Sequence, residues 1–111
     1  MVARVFIPQV VTRYDEAKGG EVPVFDFSAA ASFGQLTPIL DRDVNVMFLA
    51  RITKVIGEAL ESFSDDDYLL AVGDPAVIAV CAGLILRRKS CMKLLKWDRK
   101  LRIYLCLEIK P

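Results

Sequence analysis

The sequence predicts an α/β fold: a single mixed β-sheet with two principal helices, containing a βαβ unit at about residues 68–97 followed by a C-terminal β-hairpin. Three observations carry this reading. Tyr68-Leu69-Leu70-Ala71-Val72 is an unbroken apolar run of strand length, the pattern of a strand buried on both faces. Gly73-Asp74-Pro75 follows it directly, offering a glycine for a sharp turn, an aspartate for a helix N-cap and a proline suited to the first helical position. Leu101 to Ile109 alternates apolar and mixed residues, as a strand with one buried face does.

The elements follow in chain order. Val2 to Ile7 reads as a strand closed by Pro8, and Val10 to Tyr14 extends it or pairs back. Asp15 to Gly20 is a turn ending in two glycines, and Val22 to Phe27 is the returning strand, held to a sheet edge by Pro23. Ser28 to Ser32 suits a short helical turn with Ser28 as N-cap. Leu36 to Leu40 is apolar but broken by Pro38. A first helix starts at Asp41-Arg42-Asp43 and runs to Phe63, with Phe48, Ile52, Val55, Ile56, Ala59, Leu60 and Phe63 in one apolar stripe. Ser64 to Asp67 reads as a solvated loop.

The second helix, Ala76 to Arg88, is apolar on every side until Arg87, and such a helix is expected to be buried all round. The sheet would cover one side, and another element or subunit the rest. Tyr68–Val72 and Cys91–Trp97 are expected as the central strands. If Arg99-Lys100 forms a two-residue hairpin loop, Trp97 faces Arg102, Leu95 faces Tyr104 and Lys93 faces Cys106. One hairpin face then holds Met92, Leu94, Ile103, Leu105 and Leu107, which reads as core. The other holds Lys93, Leu95, Trp97, Arg102 and Tyr104.

Composition narrows the classes. The chain has 111 residues, 54% of them hydrophobic and 26% charged, which suits one α/β domain over 1–111 and excludes disorder. There is no histidine, so His-based triads, HExxH metal sites and Cys2His2 fingers are ruled out. Cys81, Cys91 and Cys106 form no CxxC pair, and their odd number argues against a disulfide framework or a structural zinc site. Reduced cysteines fit a cytoplasmic setting, with Cys81 in the core. No signal peptide is evident, and the longest apolar run, Val77 to Leu86, falls short of the roughly 20 residues that span a bilayer, so no membrane partner is expected. A mean hydropathy of +0.37 is high for a soluble monomer and points to a homo-oligomer or protein partner.

Phe6-Ile7-Pro8, Tyr14-Asp15, Val22 to Ser28 and Phe33-Gly34, together with Asp66 to Leu70, Gly73-Asp74-Pro75 and Leu94 to Arg99, resemble small proteins encoded by tailed bacteriophages of the marine and cyanobacterial type. The likeness spans residues 1–111. It brings no activity and no catalytic residues to transfer. It implies a setting in the host cytosol, beside replication, transcription, host takeover or virion assembly.

Candidate sites were weighed against structural duties. The Gly73-Asp74 turn stands where α/β sheets bind phosphates, but Asp74 would cap the same amides and repel an anion, and no phosphate-loop motif accompanies it. Asp65, Asp66 and Asp67 lack a metal-loop spacing. Asp26, between Phe25 and Phe27, is the one carboxylate expected to be buried. Charge is more telling: residues 1–86 hold six basic and twelve acidic residues, and residues 87–111 hold nine basic and two acidic. Lys93, Trp97, Arg102 and Tyr104 on one hairpin face could serve as a platform for single-stranded nucleic acid. The expectation is a non-enzymatic accessory protein, without cofactor or metal, that binds another macromolecule or itself. The alternative is a single-stranded nucleic-acid-binding module, and third comes a phosphate- or nucleotide-binding enzyme at Gly73-Asp74-Pro75.

Overall fold

The structure, a computed structural model, describes residues 2–23, 27–40 and 46–111. Its elements are β1 (Arg4–Gln9), β2 (Thr12–Asp15), β3 (Gly20–Pro23), β4 (Gln35–Leu40), α1 (Leu49–Ala59), β5 (Tyr68–Leu70), α2 (Pro75–Arg88), β6 (Met92–Asp98) and β7 (Ile103–Ile109), with 3-10 turns at Ser28–Ser32 and Val46–Phe48. Five strands make the main sheet in the order β4-β1-β5-β6-β7, and β2-β3 forms a separate ribbon. β4, β1, β5 and β6 are mutually parallel, and β7 runs antiparallel at the edge. The α/β class, the βαβ unit and the C-terminal hairpin thus stand as the sequence predicts.

The first forty residues differ from the sequence reading. Pro8 does not close β1, which continues to Gln9. The β1–β5 ladder already stops at Phe6↔Leu69, so the proline's missing N–H falls beyond it. The segment broken by Pro38 is β4, tolerated because it is an edge strand pairing only with β1. The returning strand is present as β3 over Gly20–Pro23, with residues 24–26 of its expected span outside the described residues, and it pairs with β2, not with the main sheet. The turn at Ser28–Ser32 is present, but Phe27 holds its cap position, with no side-chain bond. The expected helix start at Asp41–Asp43 and the expected buried carboxylate, Asp26, lie outside the described residues.

α1 and α2 pack side by side on one face of the sheet. Ile52, Ile56, Leu60 and Phe63 meet Val77, Cys81 and Ile85 there, over Phe6, Leu69 and Met92. Burial pushes the Cys81 thiol up to about 12, as suits an inert core residue. The opposite face is covered by residues 27–33, where Phe27 and Ala30 seal Val5, Ile7, Leu70, Leu95 and Tyr104. Phe33 packs edge-on against Tyr68, their ring centroids 5.4 Å apart. Two expected core positions of α1 are open, since Phe48 and Val55 lie at its solvent side. Nor is α2 buried all round: Ala76, Ala79 and Gly83 are exposed and Ile78, Val80 and Leu84 half-buried, because no described element lies over its outer side. No helix among the described residues is long and apolar enough to cross a membrane.

Asp67 is not solvated as the charged loop suggested. Its carboxylate is 2% exposed and accepts the Arg4 backbone N–H at 2.9 Å, the Arg4 guanidinium at 2.9 Å and the Ser64 N–H at 2.8 Å. Arg4 also donates to the Ser62 carbonyl and hydroxyl. Burial alone would raise the Asp67 pKa. The hydrogen bonds from Ser64 and Arg4, with the arginine charge, outweigh it and hold the carboxyl below its ordinary value.

Two measurements test this account. Asp67→Asn should cost about 1–3 kcal/mol near neutral pH by weakening a buried charge-assisted network. A lowered folded pKa stabilises fully above the ordinary value of 3.8 and loses its effect as pH falls through the folded value. Urea unfolding should therefore show the gap to wild type closing in acid, and a gap indifferent to pH would contradict the network. Separately, Ile56→Ala should cost about 3–4 kcal/mol, whereas the half-buried Ile78→Ala should cost about 1 kcal/mol. Equal losses in thermal unfolding would show that α2 is covered on both sides.

Candidate interaction surface

The hairpin β6–β7 carries Lys93, Lys96, Arg99, Lys100 and Arg102, against the acidic Asp98 and Glu108, and the chain's only tryptophan. Its loop is longer than two residues. Asp98 pairs with Ile103, leaving Arg99–Arg102 as a four-residue loop. Asp98 organises it: Oδ1 accepts the N–H groups of Lys100 at 2.9 Å and Leu101 at 3.2 Å, and its carbonyl accepts the Arg102 N–H at 2.8 Å. The loop ends with Arg102 at φ 53, left-handed backbone that normally suits glycine. Trp97 therefore faces Tyr104, Leu95 faces Cys106 and Lys93 faces Glu108. Because the loop grew by two residues, each ladder side chain keeps the face read from the sequence while its partner changes.

The four predicted binding residues do not form one open platform. Lys93, Trp97 and Tyr104 share a face, whereas Arg102 sits in the loop, outside the ladder. Tyr104 is buried under the 27–33 segment, at 8% exposed. Trp97 stacks edge-on against it, with ring centroids 5.0 Å apart at 63°. The Lys93 ammonium lies 4.3 Å from the centre of the Tyr68 ring, a cation–π contact within the fold. Trp97, at 41%, and the loop residue Arg102 are the two of the four that remain exposed. Beside it Lys96, Asp98, Arg99, Lys100 and Leu105 line a groove at the hairpin tip.

The face read as core is only partly covered on β7: Leu105 is half-buried and Ile109 packs against the helix-side core, but Ile103 and Leu107 are exposed, as is Leu101 in the adjoining loop. Leu101 is 62% exposed, Ile103 47% and Leu107 42%. The cause is reach: α2 lies over β1 and β6, and the helix-side core takes in Ile109 at the end of β7 but not Ile103 at its start. On the other face the 27–33 segment does reach β7 and buries Tyr104. The sequence contained a signal for this, since a strand added by a hairpin after the last crossover helix has no further helix to cover it.

The Gly73-Asp74 turn lies at the carboxyl ends of β1 and β5, where the connections leave for opposite faces of the sheet. Ligands often bind at such a switch point. Here the buried Gln9 side chain occupies it. Gln9 Oε1 accepts the Asp74 N–H at 2.9 Å, Asp74 Oδ1 accepts the Ala76 N–H at 2.8 Å, and Pro75 has no N–H to offer. Gly73 has φ +114, and a Cβ there would stand 2.8 Å from Gln9 Cβ. The arrangement fastens α2 to β1. Among the described residues, no group of three or more Cys, Asp and Glu gathers to hold a metal ion. Cys81, Cys91 and Cys106 are all unbridged.

A family model described as Phage Pam3 gp32-like protein matches residues 3–111. No curated protein and no solved structure matches the chain.

Gly73→Ala should destabilise by about 2–3 kcal/mol, because both the backbone conformation and the Gln9 contact exclude a methyl group. Chemical denaturation checks this. A neutral substitution would mean that the turn and Gln9 do not sit in contact.

Proposed function

The chain belongs to the Phage Pam3 gp32-like protein family, and we propose that it acts within the phage programme as a non-enzymatic binding module that associates with itself through the C-terminal hairpin. One observation carries the reading: an apolar row that runs from the hairpin loop onto the open edge strand β7, with Leu101 in the loop and Ile103 and Leu107 on the strand each more than two-fifths exposed. Contiguous exposed apolar surface of this kind is costly in water unless a partner covers it. The high mean hydropathy and the uncovered side of α2 support the same conclusion. The absence of histidine and the use of the Gly73-Asp74 turn as a fastening support a role in binding rather than catalysis. Unbridged cysteines suit the host cytosol.

A second reading, single-stranded nucleic acid, is favoured by the exposed Trp97 among Lys96, Arg99 and Lys100 at the hairpin tip. It asks of this site one stacked base and a few phosphate contacts, fewer than the four-residue platform expected from the sequence.

Light scattering and Trp97 fluorescence separate the two. Self-association predicts a species heavier than 12.4 kDa at micromolar concentration, unchanged by nuclease. Nucleic-acid binding predicts a monomer whose Trp97 emission is quenched by single-stranded oligonucleotide at low salt and restored by added salt. A monomer indifferent to oligonucleotide would refute both.

A further inference from the structure

We propose that the outer edge of β7 pairs antiparallel with β7 of a second copy, about a two-fold axis through Leu105. This rests on the self-association reading and gives it a geometry. The main sheet has two edges, β4 and β7. β4 contains Pro38, which cannot donate to a ladder and guards that edge. β7 runs Ile-Tyr-Leu-Cys-Leu-Glu-Ile without proline, and no described strand pairs with its outer side. An unguarded edge with an exposed apolar row is a template for another strand.

The second copy is the occupant because this strand, reversed, complements itself. In a two-fold antiparallel pair each residue meets one from the same face, which leaves two central registers. About Leu105, that residue meets its own equivalent, Ile103 meets Leu107, Tyr104 meets Cys106, and Arg102, in the loop one residue before the strand, comes beside Glu108. About Cys106, the apolar pairs are equally good, but Arg102 meets Lys110 and Tyr104 meets Glu108. Like charges directly opposite destabilise a strand pair, and opposite charges stabilise it, so charge selects Leu105. Within one copy Glu108 contacts only the exposed Lys110 at 3.6 Å among the ion pairs of the described residues, a weak surface pair that leaves it free to take a second cation.

Arg102 closes the hairpin loop. It holds a left-handed backbone conformation at φ 53, where glycine would be unstrained. The pairing gives that arginine a task at the loop's end, opposite the glutamate of the other copy. Because both copies use the same surface and β4 is guarded, the assembly closes as a dimer and does not grow into a ribbon.

The experiment is disulfide trapping of the full chain with light scattering in parallel. Leu105→Cys in a Cys106→Ser background should cross-link rapidly under mild oxidation, while Ile103→Cys in the same background should not. The unaltered chain should not cross-link through Cys106, because in this register the two Cys106 residues are diagonal neighbours about 7–8 Å apart, too far for a bridge without backbone movement. Arg102→Glu and Glu108→Arg should each weaken dimerisation about tenfold, and the double exchange should restore it. Circular dichroism confirms that each variant folds. A dimer that Leu105→Cys fails to trap, or that the double exchange fails to restore, overturns this geometry and leaves self-association standing. A chain that is monomeric throughout overturns both. Efficient cross-linking through native Cys106 overturns the register in favour of the other axis.

Discussion

Two buried polar contacts hold β1 against β5, and the sheet is assembled outward from that pair. At the amino end, Asp67 receives both the backbone and the guanidinium of Arg4, one residue before the first rung Val5↔Tyr68. At the carboxyl end, Gln9 accepts the N–H of Asp74 just past the end of β5. The ladder between them has only two rungs, too few to set its own register securely. Carboxylate and amide side chains set it instead, because each would be left unsatisfied in a buried site if the strands slipped. β4 then adds on one side and β6 on the other.

With that centre in place, coverage becomes the limiting quantity. Five strands present two faces, and the chain provides two helices for one face and the segment 27–33 for the other. β1, β5 and the first part of β6 are sealed on both sides. β7 receives the 27–33 segment, which buries Tyr104, on one face, and on the other the helix-side core reaches Ile109 but leaves Ile103 and Leu107 exposed. The apolar edge and the half-exposed Trp97 are two consequences of the same shortage.

Much of the second half was legible because its signals are local. Gly73, Asp74 and Pro75 perform the turn, cap and first-turn duties that their side chains dictate, with Gly73 at positive φ and Asp74 bonded to Ala76. The hairpin faces were legible even though the loop has four residues instead of two, since a change of two preserves alternation. Less of the candidate site was readable. Tyr104 and Lys93 looked like open binding groups, yet one lies beneath Ala30 and Phe27 and the other sits over Tyr68. Asp67 looked like one of three solvated aspartates, and its partner Arg4 stands 63 positions away, beyond the reach of any local pattern.

By itself the sequence determined the periodicities, the Asp74 cap of α2 and the opposite faces of the hairpin strands, because these depend on residues within a few positions of one another. It also determined the charge asymmetry between residues 1–86 and residues 87–111. The tertiary structure alone decided that β4 joins β1 despite Pro38, that Asp67 binds Arg4, and which hairpin face is covered. Those outcomes depend on how far α2 and the 27–33 segment reach across a sheet whose width and strand order exist only after distant strands have paired.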